Sequence, residues 1–329
     1  MIVGDALKAW TKDRAAQRET QASVDAFGRD WGHGPVHSRF DDAMASLPNS
    51  ASAEQVAGIV QRLFADHGWV DLLVSQLAQK MDEDPFFDPP FRNLNSDVGA
   101  GLLVFEDEKV SIAISVTSAL QLATRKNRPR GATSVGFTGQ LNVLKFIKAG
   151  GATLSFWEAP RTGADFTAAT AGTCRQTGNR KMADGELLIL DGRRESYVIE
   201  GLHGSMVLLQ ASIAVDQAPL SVEYDSATGT YLGCSATGDT SSRIQMITTL
   251  LRKLDHQAAF PAIAGFLDHP DFFVRWHVMK ELLGLDAEAA LPHLKRMAAS
   301  DPHPDPRRAA RAVLDRLERP APSSKQQAA

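Results

Sequence analysis

The hydrophobic period of this chain changes twice, and those two switches constrain the fold more than any single motif. From Ser52 to about residue 81 apolar residues recur three and four apart, the spacing of one helix face. From Gly101 to Ala236 they alternate over short runs, the spacing of half-buried strands. At Thr240 the helical period returns. A block of strands between blocks of helices belongs to an α+β architecture rather than to a parallel α/β sheet. At 329 residues the chain exceeds what one core usually fills, so a multidomain arrangement is expected. We divide it into an N-terminal helical region (1–95), a central antiparallel β-barrel or sandwich (96–239), C-terminal helical repeats (240–318) and a disordered tail (319–329).

In SASAEQVAGIVQRLFADHG, Ser52 and Gln55 form a capping-box pattern, Val56, Ile59, Val60, Leu63 and Phe64 share one face, and Gly68 supplies a stop. WVDLLVSQLAQKM then sets Trp69, Leu73, Leu77 and Met81 four apart, which predicts a helical hairpin. The prolines of DEDPFFDPPFRN end it. Upstream, DWGHGPVHSRFDD places His33, His37 and Asp41 four apart, a spacing that on one helix could ligate a metal. Gly34-Pro35 interrupts such a helix unless Pro35 opens its first turn, so a structural loop anchored by Trp31 and Phe40 is expected.

GLLVFEDEKVSIAISV reads as two strands about a Glu-Asp-Glu turn. Further strands are expected at TSVGF, ATLSFWEA, ELLIL, ESYVIE, SMVLLQASI, LSVEY and TYLGCSA, with a type I′ hairpin at Asp191-Gly192. LQLATRK and LNVLKFIKAGG could instead be helical. The run GELLILDGR among these short strands resembles the second half of a cupin-type double-stranded β-helix, over residues 130–236. That resemblance implies a metal held by an H-x-H pair, a Glu and a third His. His203 is the one histidine between residues 68 and 255, so such a site cannot be assembled. Glu158, Glu186, Glu195, Glu200 and Glu223 could serve a harder cation, but their spacing does not demand it, and no cofactor is predicted. A metal-free acid/base site would use Glu186, Tyr197 and His203 beside Arg194.

The order Gly185-Glu186, an apolar run, then Arg193-Arg194 also resembles the phosphate-binding cassette of cyclic-nucleotide domains. The resemblance implies a carboxylate on a ribose hydroxyl and an arginine on the phosphate, although the proline before that arginine is missing. Arg175, Arg180 and Lys181 in CRQTGNRKM could enlarge such an anion pocket; otherwise these arginines form a solvated face. Arg125, Lys126, Arg128 and Arg130 make another basic cluster, read as a solvated loop.

Beyond Thr240, a helix capped by Thr240 or Ser241 carries Ile244, Ile247, Leu250, Leu251 and Leu254 on one face. Two similar segments follow. Phe260-Pro261 is matched by Leu291-Pro292, and Arg275, Val278 and Leu282 by Arg307, Ala310 and Leu314 at identical internal spacing. This pattern resembles HEAT-type helical repeats, which implies stacked helix pairs offering a surface to a protein partner or to a second copy.

A formal net charge of −4 gives no overall attraction to phosphate backbones, and nucleic acid is not an expected partner. No apolar run reaches the ~20 residues of a membrane span. The first twenty residues lack the apolar core of a secretory signal, and two cysteines suit a reducing compartment, so a cytoplasmic location is expected. Cys174 and Cys234 are read as buried or half-buried thiols. The reading is an interaction or regulatory protein without a recognisable catalytic centre. A divergent cupin-type enzyme and a small anion or nucleotide sensor remain as alternatives.

Overall fold

A computed structural model describes residues 2–126 and 134–318. Arg128 and Arg130 of the basic cluster and the 319–329 tail lie outside the described residues, as do the side chains of Arg125 and Lys126. The chain divides into two compact units, one of residues 1–160, 173–217 and 224–230, the other of 161–172, 218–223 and 231–329.

The first unit begins with five helices: α1 (Ile2–Trp10), α2 (Arg14–Gly32), α3 (Pro35–Ala45), α4 (Ala53–Ala65) and α5 (Gly68–Glu83). Asp13 caps α2 by accepting from the Ala15 and Ala16 N–H groups. Both halves of the Ser52–Gln55 capping box are made at the start of α4. Gly68 opens α5 rather than ending α4, whose last turn gives way at Asp66. The segment expected to be a loop around Gly34 is instead a sharp junction between two helices. Pro35 occupies the first turn of α3, where its missing N–H costs nothing. Phe40 is fully buried against Trp69 and Phe105, and Trp31 packs on Trp69 and Phe91.

The strands follow: β1 (Arg92–Ser96), β2 (Gly99–Glu106) and β3 (Val110–Thr117), helix α6 (Ala119–Lys126), then β4 (Ser134–Phe137), β5 (Leu141–Lys148), β6 (Thr153–Glu158), β7 (Arg175–Lys181), β8 (Leu187–Asp191), β9 (Glu195–Gly201) and β10 (Met206–Ile213). A six-stranded sheet has the order β1-β2-β3-β10-β5-β8, and a second sheet the order β7-β6-β9. β3 pairs with β10, β5 with β8, and β6 with β7, all antiparallel. A chain running inward to β6 and back out from β7 is therefore a long antiparallel ribbon. The β3–β10 and β5–β8 pairs lie in the six-stranded sheet and the β6–β7 pair in the second, and the turns of the coil are closed by β5–β10 and β6–β9 pairing. This winding is a double-stranded β-helix, as the cupin resemblance implied.

Two expectations fail here for one reason. LNVLKFIK is strand β5, not helix, because the strand is buried on both faces. Leu141 and Val143 pack in the core shared with α4, while Leu144 and Phe146 pack in the barrel interior. Asp191-Gly192 does not make a hairpin either, since β8 pairs with β5 and β9 with β6. It is a corner at which the chain changes sheet. Gly192 lies outside the left-handed region and is needed for space: a Cβ there would approach Thr138 Oγ1 to 2.2 Å and Gln140 O to 2.5 Å.

The unit boundary falls within β11 (Leu220–Asp225), and the second unit continues with β12 (Tyr231–Ala236). Its helices are α7 (Asp239–Lys253), α8 (Phe260–Ala264), α9 (Phe272–Leu285), α10 (Ala287–Ser300) and α11 (Pro304–Glu318). α7 starts after Gly238, so neither Thr240 nor Ser241 caps it; Ser241 instead donates to Asp271 Oδ2 at 2.6 Å. Val274, Val278, Met279, Leu282, Ala290 and Leu294 form the fully buried centre of this unit.

Candidate functional site

The inner positions of the β-helix are occupied by apolar side chains. Leu144, Phe146, Leu154, Met206 and Leu208 lie at 0–3% exposure, with Leu190 and Met182 beside them. Tyr197 and Ile199, on one face of β9, pack against this cluster, and burial pushes the Tyr197 phenol up from its ordinary pKa. An interior of this kind is a packed core. It does not supply the imidazoles and carboxylate that the cupin resemblance would require for a transition metal.

The other candidates do not converge on Tyr197. Glu186 is bound to Arg180 and accepts from the Ala183 N–H at 3.0 Å. His203 is exposed on a turn, with Nδ1 3.3 Å from Gly151 O. That turn rests on Gly150 and Gly151, both with positive φ, and the N–H groups of His203 and Gly204 donate to Gly150 O. His33 caps the end of α2, whereas His37 and Asp41 lie on α3 and pair with each other at 2.9 Å. Among the described residues no three His, Cys, Asp or Glu side chains come together as a cation site.

Arg193 and Arg194 have different surroundings. Arg193 is 5% exposed; its Nε and Nη2 grip Asp191 at 2.6 and 3.2 Å, Nη1 reaches Asp216 O at 3.2 Å, and Nη2 reaches Glu54 on α4 at 3.4 Å. The side chain thus fastens α4 to the β8–β9 corner. Arg194 is exposed, 3.6 Å from both Asp191 and Glu195. Arg175–Lys181 form the exposed strand β7, and Arg175 pairs with Glu158 at 3.0 Å. Cys174 is buried, which raises its thiol pKa, while Cys234 is exposed on β12, contrary to expectation, because that strand keeps its side chains half-buried or exposed.

In the helical unit the repeated arginines do the same job twice. Arg275 Nη1 donates to His269 O and Pro270 O at 2.8 Å each, and Arg307 Nη1 donates to Asp301 O and Pro302 O. Each therefore ties down the carbonyls six and five residues before it, at the turn into its own helix. Arg275 also forms a bidentate pair with Asp301 of the next repeat, at 2.9 and 2.7 Å, with both side chains under 10% exposed. Burial pushes the Asp301 carboxyl up, but hydrogen bonds from Arg275 and the His303 N–H, with the Arg275 charge, hold it below its ordinary pKa.

Residues 234–315 match the family model for HEAT repeats. This bears out the resemblance carried by the repeated prolines and arginines, and the unit is called HEAT-like below. No curated protein matches the chain. Among solved structures, the chain is similar to an ectoine synthase from P. lautus, at 9% identity over 37% of this chain and 68% of that one, with a TM-score of 0.23. A cupin domain from Bordetella pertussis gives 13% identity, 36% and 97% coverage and a TM-score of 0.22. A structure of the DMSP lyases RdDddP and RnDddQII gives 9% identity, 60% and 93% coverage and a TM-score of 0.24. The double-stranded β-helix rests on the strand pairings given above.

One feature of the HEAT-like unit was partly visible in the sequence. Of the apolar residues on α7, Ile244 and Leu251 pack into the core, but Ile247, Leu250 and Leu254 are 54–67% exposed, with Met246 at 68%. On the opposite side His277 of α9 approaches Thr249 Oγ1 at 2.9 Å and Gln245 O at 3.1 Å, and Arg252 binds Glu281. The helix is thus held along one side and apolar along another.

Proposed function

We propose that this protein is a cytoplasmic, non-catalytic interaction protein. Its β-helix acts as a rigid support, and its HEAT-like unit docks a helix across the open face of α7. The observation that carries this reading is the exposed row Met246, Ile247, Leu250 and Leu254. Four large aliphatic side chains at spacings of one, three and four make a helix-packing ridge, and a stacked repeat buries such a ridge against the preceding helix. The unpaired state of both cysteines agrees with a reducing compartment.

The docked helix is α7 of a second copy. α7 carries Asp239 in its first turn and Lys253 in its last, while Arg252 is held by Glu281 on the other side of the helix. Two copies crossing antiparallel bring opposite charges together at both ends of the aliphatic row, as a two-fold interface requires. Light scattering behind size exclusion tests this: the wild type is expected to be a dimer at micromolar concentration, and Leu250→Asp a monomer with an unchanged circular dichroism melt. A wild type that stays monomeric as concentration rises, or a Leu250→Asp variant that remains dimeric, overturns it.

A further inference from the structure

The helical layer of the first unit contains a cavity of about 370 Å³ that neither the β-helix nor the HEAT-like repeats use. It lies between α2, α3 and α5, and its walls include Phe27, Trp31, Trp69 and Leu73. The volume is in the range of small-ligand sites. Trp31 and Trp69 stand 6.1 Å apart between ring centroids, and Trp31 is fixed by its indole N–H donating to Val104 O at 3.0 Å. Trp69 is 7% exposed, and its own buried indole N–H has no partner among the described residues.

The charges around the cavity select a sign. Asp30, Gln79 and Lys80 all line it. The Lys80 ammonium is committed to Glu83 Oε2 at 2.8 Å and the Gln79 amide to Glu83 Oε1 at 2.8 Å. The pair of bonds, with the Lys80 charge, holds the Glu83 carboxyl below its ordinary pKa, so Lys80 presents little net charge to the cavity. Asp30 is exposed, and its carboxylate makes no ion pair within the described residues. An aromatic-walled space with one uncompensated carboxylate at its edge disfavours anions and attracts cations, both through the carboxylate and through the quadrupoles of the indole and phenyl rings.

We propose that this cavity binds a small organic ammonium ion, with the alkylated head against Trp31, Trp69 and Phe27 and the positive charge compensated by Asp30. Inorganic cations do not fit the reading, because the walls cannot replace their hydration shell. The site is independent of α7, so it stands or falls separately from the dimer.

Choline and 3,3-dimethyl-1-butanol have nearly the same shape and hydroxyl and differ in charge. The full-length protein is titrated with each while tryptophan fluorescence and calorimetry are recorded. Choline is expected to bind at least about tenfold more tightly than the neutral alcohol. Asp30→Asn, at an exposed position, is expected to remove about that tenfold preference while leaving the melt unchanged. Leu72 lines the same cavity at 58% exposure, and Leu72→Arg is expected to abolish binding by placing a guanidinium at the mouth. Equal affinity for the two probes, retention of the preference in folded Asp30→Asn, or no saturable binding of choline overturns the proposal.

Discussion

The interior of the β-helix and the interior of the HEAT-like unit solve burial in opposite ways. Around Phe146 and Leu154 the inner faces of two sheets meet through aliphatic and aromatic side chains, and the Arg175–Glu158 and Arg193–Asp191 pairs lie outside that cluster, at an edge strand and at a corner. In the HEAT-like unit an ion pair is inside: Arg275 and Asp301 join consecutive repeats with both side chains under 10% exposed. A sheet satisfies its backbone groups across the ladder, so its interior can be wholly apolar. A helix turn leaves carbonyls without intrahelical partners, and a guanidinium with five donors can collect two of them and a carboxylate at once. The first interior should therefore be indifferent to pH over the carboxylate and histidine ranges, and the second should not.

The largest test of this contrast removes one half of the buried pair. Arg275→Ala is expected to cost about 3–5 kcal/mol in denaturant unfolding of the HEAT-like unit, because it strands the Asp301 carboxylate. A loss under about 1 kcal/mol would mean that neither the ion pair nor the arginine's hold on the turn carbonyls organises the repeat. Leu154→Ala in the β-helix is expected to cost about 2–5 kcal/mol through the transfer and cavity terms. Its effect should be the same at pH 5 and pH 8, whereas the stability of the HEAT-like unit should differ between them.

The corner arginines give a smaller test. Arg193→Ala is expected to lower stability by about 2–3 kcal/mol, since it leaves Asp191 half-paired and α4 unfastened, while Arg194→Ala stays within about 0.5 kcal/mol. Equal effects would mean that the α4 contact contributes little.

The pH dependence follows from His277 and His303. Burial lowers both, with Glu281 opposing the shift at His277 and Asp305 opposing it at His303. Because the folded state holds them neutral, the unfolded chain takes up protons first as pH falls through about 6.5. Their contribution is complete above that value and is lost below it. Asp301, whose folded pKa is lowered, adds a second loss as the pH falls below the ordinary carboxylate range. Trp276, next to His277 on α9, reports this unit by fluorescence when the other four tryptophans are replaced by phenylalanine. A midpoint flat from pH 8 to pH 5 would remove the histidine contribution and leave Asp301 alone.

What was legible early was local. The Ser52–Gln55 box, the apolar period of α4 and α5, and the matched arginines, prolines and leucines of the repeats each involve residues within a turn or a helix, and they formed as expected. The candidate site was less legible. Glu186, Tyr197 and His203 lie near one another in the chain but belong to an edge, an interior and an exposed turn.

The sequence by itself determined the alternation of helical and strand periods, the Ser52–Gln55 helix start and the repeat of the HEAT-like unit, because hydrophobic period and capping chemistry act over a few residues. Only the tertiary structure decided that Asp191-Gly192 turns a corner between sheets, that β5 is buried on both faces, and that Arg193 clasps a helix 139 residues away in the chain. Those outcomes depend on which surfaces meet, and a strand's sheet partner or an arginine's carboxylate is chosen by burial and space that no short stretch of residues encodes.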